Sequence, residues 1–198
     1  MTTASAPTRN RGNRRAEILA AAASLFAVRG FHGVSIEDIG GAVGISGPAL
    51  YRHFTGKDAL LAEMLLDISS RLRESAVAVV TSAGGPGETL DALLNVQITF
   101  ALEQPALITV HDRELGNVPE RDRRQIRRLQ RLYVEEWVTV LAELHPACPP
   151  ARLRAATHAV FGLLNSTPHS AGELPSQAMR PLLHAMARAA IEACVNPR

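Results

Sequence analysis

Little in this chain points to chemistry performed on a substrate. Aromatic residues make up 4% of it, and cysteine occurs only at Cys148 and Cys194. Two cysteines so far apart have neither a metal-ligand spacing nor a disulfide-rich pattern, so reduced thiols in the cytoplasm are expected. Lysine occurs once, at Lys57. No apolar run reaches the roughly 20 residues that span a bilayer, so no membrane partner is expected. The opening residues, MTTASAPTRNRGNRR, lack the apolar stretch of a secretory signal. There is no internal repeat, no alternating strand pattern and no nucleophile–base spacing. His111, Asp112 and Glu114 are neighbours, but without a metal-site spacing a polar patch on a short helix is the commoner explanation. No cofactor, metal or catalytic residue is expected.

What is present favours helices. The chain has 198 residues, 46% of them hydrophobic, enough for one large or two small domains. Alanine and leucine are abundant, which favours helix over sheet. Charge is unevenly placed. Residues 1–57 hold seven Arg or Lys and three acids, a net +4, and the rest of the chain carries −2. A basic head on a slightly acidic body suits a polyanion partner.

The stretch VSIEDIGGAVGISGPALYRHF, from Val34 to Phe54, organises the rest. Ser35 followed three residues later by Asp38 is an acidic variant of the capping box. Ile36, Ile39 and Val43 give one apolar stripe. Gly44 supplies the φ > 0 residue that ends the helix. Ser46 caps a second helix, with Pro48 in its first turn, where a missing N–H costs little. Ile45, Leu50 and Phe54 face inward, and Ser46, Gly47, Ala49, Tyr51, Arg52 and His53 face out. Two short helices across a tight turn, the second tipped with polar and basic groups, match a helix-turn-helix whose second helix enters the major groove of DNA.

With these residues in view, the chain from Arg14 to Leu65 resembles the DNA-binding domain of the TetR family of bacterial transcriptional regulators. The run ILAAAASLFAVRGFHGVSIEDIGGAVGISGPALYRHFTGKDALL carries the resemblance, and LYRHF followed by Lys57 is its most specific part. The resemblance implies phosphate contacts by Ser35, Tyr51, His53 and Lys57, and base or groove contacts by Ser46, Gly47 and Pro48. Many members have a basic residue in place of Gly47 and a glycine in place of Pro48, which shifts the expected base contact toward Arg52. From the residues themselves, Arg14 and Arg15 at a helix start are poor partners for the helix dipole and suit a nearby phosphate backbone or a solvated end. Lys57 at a helix start fits a phosphate for the same reason.

The expected layout is all-α. Residues 1–13 form a flexible basic tail, in which Arg9 and Arg11 either are solvated or reach phosphate. Residues 14–57 form the helix-turn-helix domain, and residues 58–198 a helical effector-binding and dimerisation domain. In that body the spacing predicts helices from Lys57 to about Val80, from Pro86 to Pro105, over 105–115, from Pro119 to Leu144, over 151–165 and over 176–195. TSAGGPGE at 81–88 and NSTPHSAGELP at 165–175 read as loops. Met179, Leu182, Leu183, Met186, Ala190 and Cys194 read as one apolar side of the last helix. The resemblance implies that the last two helices pair with their symmetry mates as a homodimer interface, and that an effector lies between the body helices. From their helical spacing Phe100, Tyr133, Trp137 and Phe161 read first as core packing; under the resemblance they are its candidate apolar lining, and His111, Arg113, Asn165 and His169 its candidate polar lining. The arginines between Arg121 and Arg131 are either a solvated or subunit-facing surface or an anion site for an acidic effector such as the phosphates of an acyl-CoA.

The expectation is therefore a non-enzymatic, cytoplasmic homodimer that binds a palindromic double-stranded DNA operator and is released by a small molecule. Repression is the default sign, because occluding a promoter needs no partner surface. An architectural or protein-interaction module without ligand control is the alternative; an enzyme in the C-terminal part is a weaker one.

Overall fold

The computed structural model describes residues 8–82, 84–170, 172 and 174–195. They are helical almost throughout. In chain order the elements are α1 (Thr8–Arg29), α2 (Ile36–Ala42), α3 (Gly47–Leu50), α4 (Lys57–Ser82), α5 (Pro86–Glu103), α6 (Pro105–Glu114), α7 (Glu120–Leu144), α8 (Pro150–Leu164), α9 (Thr167–Ser170) and α10 (Ser176–Val195). A 3-10 turn, Leu115–Asn117, joins α6 to α7.

The helices sort into two apolar clusters. In the head, Ile18, Ala22 and Phe26 of α1 meet Ile36 and Ile39 of α2, Leu50, Phe54, and Leu61 and Leu65 of α4. Val110, Val118 and Ile126 from the body complete this cluster. The eleven residues of α2 and α3 cannot close a core by themselves, so burial against α6 and α7 completes it. The body cluster is built on Trp137, Leu141, Leu93, Leu94, Ile98, Leu153, Leu164 and Leu183. Burying a Leu- or Ile-sized side chain contributes about 1.5–3 kcal/mol each, so both clusters hold their helices together by the same ordinary effect.

Several expectations are corrected. The tail does not reach residue 13, because α1 already starts at Thr8. Extending an Ala-rich helix costs little once it is nucleated, and Gly12 opposes it by only about 1 kcal/mol. The part of the tail call covering residues 1–7 lies outside the described residues. Within the 165–175 loop, Thr167–Ser170 closes one helical turn, with the Thr167 hydroxyl donating to the Ala101 carbonyl. The last helix does not have a single apolar side. Met179, Leu183, Ala187, Ile191 and Val195 are buried at helical spacing, whereas Leu182 is 44% and Met186 46% exposed. An alanine- and methionine-rich helix presents two apolar faces, and a count of hydrophobic positions does not separate them.

Among the described residues no single helix is long and apolar enough to cross a membrane. The pair α5 and α6 has the composition but is bent by 86°, at Gln104, just before Pro105.

Candidate nucleic-acid interface and body cavity

The head is held in shape by short-range chemistry. The Ser35 hydroxyl accepts from the Asp38 N–H at 3.0 Å, and the Asp38 carboxylate accepts from the Ser35 N–H at 2.8 Å. The Ser35 hydroxyl also donates to that carboxylate at 2.7 Å. These bonds, with Arg29 3.6 Å away, hold the Asp38 carboxyl below its ordinary value. Ser35 remains exposed. The turn into α3 depends on two glycines. Gly44 sits at φ +69, and a Cβ on Gly40 would come within 2.6 Å of the Ile45 carbonyl oxygen. The second requirement was not legible in the sequence, since Gly40 lies inside a helix whose contact with the turn is made in space.

Ser46 caps α3, its hydroxyl accepting from the Ala49 N–H at 3.4 Å. The helix expected to run to Phe54 is regular only over Gly47–Leu50. Beyond it, Arg52 and His53 donate to carbonyls three residues back at 3.3 and 2.8 Å, the tighter winding common at helix ends. Tyr51 is 55% exposed, Pro48 and Arg52 are exposed, and His53 is half-buried. Ser46, Pro48, Tyr51, Arg52 and His53 thus form one continuous surface.

Three of the expected contact residues are otherwise engaged. Gly47 is buried, not outward, with a Cβ position 3.2 Å from Glu37 Oε1, so close packing on α2 is what its smallness serves. The Lys57 ammonium donates to the Phe31 and Val34 carbonyls at 2.7 and 2.8 Å and lies 4.4 Å from the Phe31 ring centroid. It closes the loop between α1 and α2, which leaves one N–H for anything else. Arg14 pairs with Glu17 at 2.9 Å and donates to the Val43 carbonyl at 3.2 Å. Arg15 makes a bidentate pair with Glu63, donates to the His53 carbonyl and stacks 4.2 Å from the Phe54 ring centroid. It ties α1 and α4 to the end of the outward helix. Its role was missed because its partners lie 38 and 48 residues away.

The body encloses a cavity of about 240 Å³ between α4, α5, α6, α7 and α8. Phe100, His111, Tyr133, Phe161 and Asn165 line it, as expected from the sequence. Arg113, Trp137 and His169 do not. Arg113 turns the other way and donates to the Ala27 carbonyl at 3.1 Å, capping the end of α1. Trp137 is fully buried behind the wall, edge-on to Phe161 at 5.1 Å and 89°. His169 is exposed on α9, outside the lining. Gln97, Gln130 and His158 are lining residues that the sequence did not single out; a buried glutamine in an apolar stripe carries no local signal.

The cavity's polar groups are joined. The Tyr133 hydroxyl donates to Gln97 Oε1 at 2.9 Å, and Gln97 Nε2 donates to Asn165 Oδ1 at 2.9 Å. Burial pushes the Tyr133 phenol well above its usual range, so it keeps its proton. His111 lies 3.3 Å from Asp112 and pairs with Gln130 across to α7. Glu114, one turn on, leaves this group entirely. It is 6% exposed and accepts from the Phe31 N–H at 3.2 Å and from Asn117 at 2.8 Å. Among the described residues no group of three or more His, Cys, Asp or Glu is placed to hold a metal.

Comparison with known proteins covers both parts of the chain. Residues 18–64 match the bacterial regulatory proteins of the tetR family, and residues 83–193 the tetracyclin repressor-like C-terminal domain. The HTH-type transcriptional repressor KstR2 of Rhodococcus jostii (strain RHA1) is 28% identical over 135 residues, which are 68% of this chain and 66% of that repressor. The match therefore falls just short of two thirds of the relative's own length. Three solved structures share the fold. A TetR-family transcriptional regulator from Bordetella parapertussis 12822 superposes with a TM-score of 0.78 at 23% identity, over 93% of this chain and 95% of that one. AibR in complex with isovaleryl coenzyme A and operator DNA gives 0.70 at 20% identity, over 87% and 97%. FadR from Bacillus subtilis in complex with stearoyl-CoA gives 0.67 at 17% identity, over 92% and 98%.

Proposed function

The chain belongs to the tetR family of bacterial regulatory proteins, and from that premise we propose that it is a repressor that reads a palindromic operator as a homodimer and is released by a small molecule. It is a DNA-binding transcriptional regulator of a non-enzymatic family. The observation that carries the ligand-gated reading is the double attachment of α6. One end of this ten-residue helix walls the cavity through Leu107, Ile108, His111 and Asp112. The other end grips the head, Arg113 on the Ala27 carbonyl and Glu114 on the Phe31 N–H. A ligand that shifts α6 shifts the head by as much as its differential affinity for the two positions allows.

In this reading residues 14–57 are the reading head and 58–198 the effector and dimer body. Tyr51, Arg52, His53, Ser46, Pro48 and Ser35 meet DNA directly. Arg14, Lys57 and Gly47 act mainly by holding that surface in place. Each recognition surface enters one major groove, with half-sites one or more helical turns apart, about 34–36 Å per turn. Two features support pairing through α8 and α10: the exposed Leu182 and Met186, and the exposed small residues Ala155, Ala159 and Gly162 beside them on α8. Small residues let helix pairs approach closely, and such apolar faces on neighbouring helices suit a twofold interface.

AibR and FadR, as their structures are described, carry acyl-CoA molecules, and an acyl-CoA is a candidate effector here. The cavity of about 240 Å³ suits a short acyl group better than a long one. The exposed Arg124, Arg127, Arg128 and Arg131 of α7, beside Gln130, offer donors for its phosphates.

The test is a gel shift with the DNA upstream of the protein's own gene, with cell extract or acyl-CoAs added. Wild type is expected to bind and be released. The variant Arg113→Ala/Glu114→Gln is expected to bind and not be released. Release of that variant at the wild-type concentration would remove α6 as the coupling element. Binding that no extract or acyl-CoA relieves favours the architectural module.

A further inference from the structure

The body cavity carries almost no charge, and its polar groups have a fixed direction. We infer that it takes an uncharged apolar group bearing a carbonyl oxygen, whether a whole molecule or the acyl end of a larger one, and that the Asn165 amide N–H groups hold that oxygen. The inference rests on the reading of this cavity as the effector site and names the chemistry the site selects.

Direction comes from the relay Tyr133, Gln97, Asn165. Tyr133 and Gln97 are 5% and 2% exposed. If the Gln97 amide were turned around, its N–H would point at the phenol and the buried Tyr133 O–H would have no acceptor among the described residues. An orphaned buried donor costs roughly 1–3 kcal/mol, so the phenol donates to Gln97 Oε1. The Gln97 Nε2–H is then the donor to Asn165, at 2.9 Å. Asn165 receives through Oδ1, which commits its Nδ2 to the remaining side. No protein acceptor meets that Nδ2 among the described residues, and Asn165, half-buried, lines the cavity. The cavity therefore presents N–H donors and needs an acceptor from the ligand.

The charge of that acceptor follows from the walls. No lysine or arginine lines the cavity, and Asp112 is its one carboxylate. Both ring nitrogens of His111 are engaged, by Asp112 and by Gln130, and His158 is exposed at the rim. Ser69 spends its hydroxyl proton on the Leu65 carbonyl at 2.7 Å, and the remaining lining is apolar, with Ile68, Leu72, Phe100 and Phe161 among it. A carboxylate brought inside loses its hydration and meets no cation, and Asp112, exposed at the opening, adds no attraction. A ketone, ester or thioester carbonyl loses little and gains the Asn165 bond. A free carboxylic acid is thus excluded by the same walls that admit its neutral derivatives.

The chain provides its own reporter, because Trp137 is its only tryptophan and lies behind the cavity wall, edge-on to the lining residue Phe161. The full-length protein is titrated with 2-nonanone, with nonanoate and with n-nonane while Trp137 fluorescence is followed, and operator affinity is measured with each probe present. The expected result is binding of 2-nonanone at least tenfold tighter than of nonanoate. Asn165→Asp keeps the acceptor for Gln97 but removes the donors, so it should weaken 2-nonanone binding at least tenfold and leave n-nonane unchanged. Nonanoate binding as tightly as the ketone, or Asn165→Asp binding the ketone as wild type does, overturns the inference while the cavity stands as an effector site. If the ketone binds through Asn165 but operator affinity does not change, the ligand chemistry holds and the effector reading fails. If none of the three probes reaches Trp137, both fail.

Discussion

At the scale of single residues, the head contains side chains of similar character with opposite duties. Tyr51 is exposed, and among the described residues its hydroxyl has no hydrogen-bond partner to lose. Tyr51→Ala is expected to weaken operator binding by tenfold or more, about 1.4 kcal/mol, with an unchanged unfolding midpoint; normal binding would remove Tyr51 from the contact set. Lys57 is the reverse case. Its two carbonyl bonds are charge-assisted and half-buried, and such bonds are worth about 1.5–3 kcal/mol each at most. Lys57→Met is therefore expected to lower head stability by about 2 kcal/mol in urea unfolding. A variant that unfolds like wild type yet has lost DNA binding would return Lys57 to phosphate contact. Nothing in the local sequence separates these two residues. An exposed and an inward-bent polar side chain look alike until the loop between α1 and α2 is seen to bring Phe31 and Val34 beside α4.

At the scale of elements, capping was readable and packing direction was not. The Ser35–Asp38 box, the Gly44 turn and the Ser46 cap involve partners within four residues, so spacing alone specifies them. The box also gives a pH dependence with a definite sign. The folded Asp38 carboxyl lies below its ordinary 3.8, so the unfolded chain binds more protons in the window just below that value. The cap's contribution is complete above pH 3.8 and is lost as pH falls toward the folded pKa. Thermal unfolding followed by circular dichroism should show a midpoint dropping across that window, with a smaller drop in Asp38→Asn; identical profiles for both would assign the acid lability elsewhere. Glu120, held low first by its bond to Arg123, titrates in the same direction on α7. The arginines of α7 illustrate what spacing leaves open. Arg121, Arg128 and Arg131 form no ion pair among the described residues, while Arg123 and Arg124 are paired to Glu120.

At the scale of the whole molecule, two faces decide function. One is the face on α8 and α10 proposed above for the twofold contact. Leu182→Glu with Met186→Glu would place like charges across a symmetric contact. The double variant is expected to sediment as a monomer at micromolar concentration and to lose operator binding, with its helicity kept. A dimer that survives both charges would move the interface off α10. The other is the basic head, whose operator affinity should fall steeply with salt, as phosphate contacts require. A slope near zero between 50 and 200 mM salt, a range chosen from the magnitudes general to DNA binding, would be incompatible with that surface meeting a duplex.

By itself the sequence determined the helical class, the order and ends of most helices and the helix-turn-helix. These rest on periodicity, caps and turn residues, which act over a few positions along the chain. Only the tertiary structure decided which polar groups are spent inside the head, that α6 joins the cavity to the head, and which way the amides of Gln97 and Asn165 point. Those outcomes depend on partners such as Phe31 with Glu114, 83 residues apart, and Gln97 with Asn165, 68 apart. No local propensity encodes a hydrogen bond whose two ends meet only after the helices have packed.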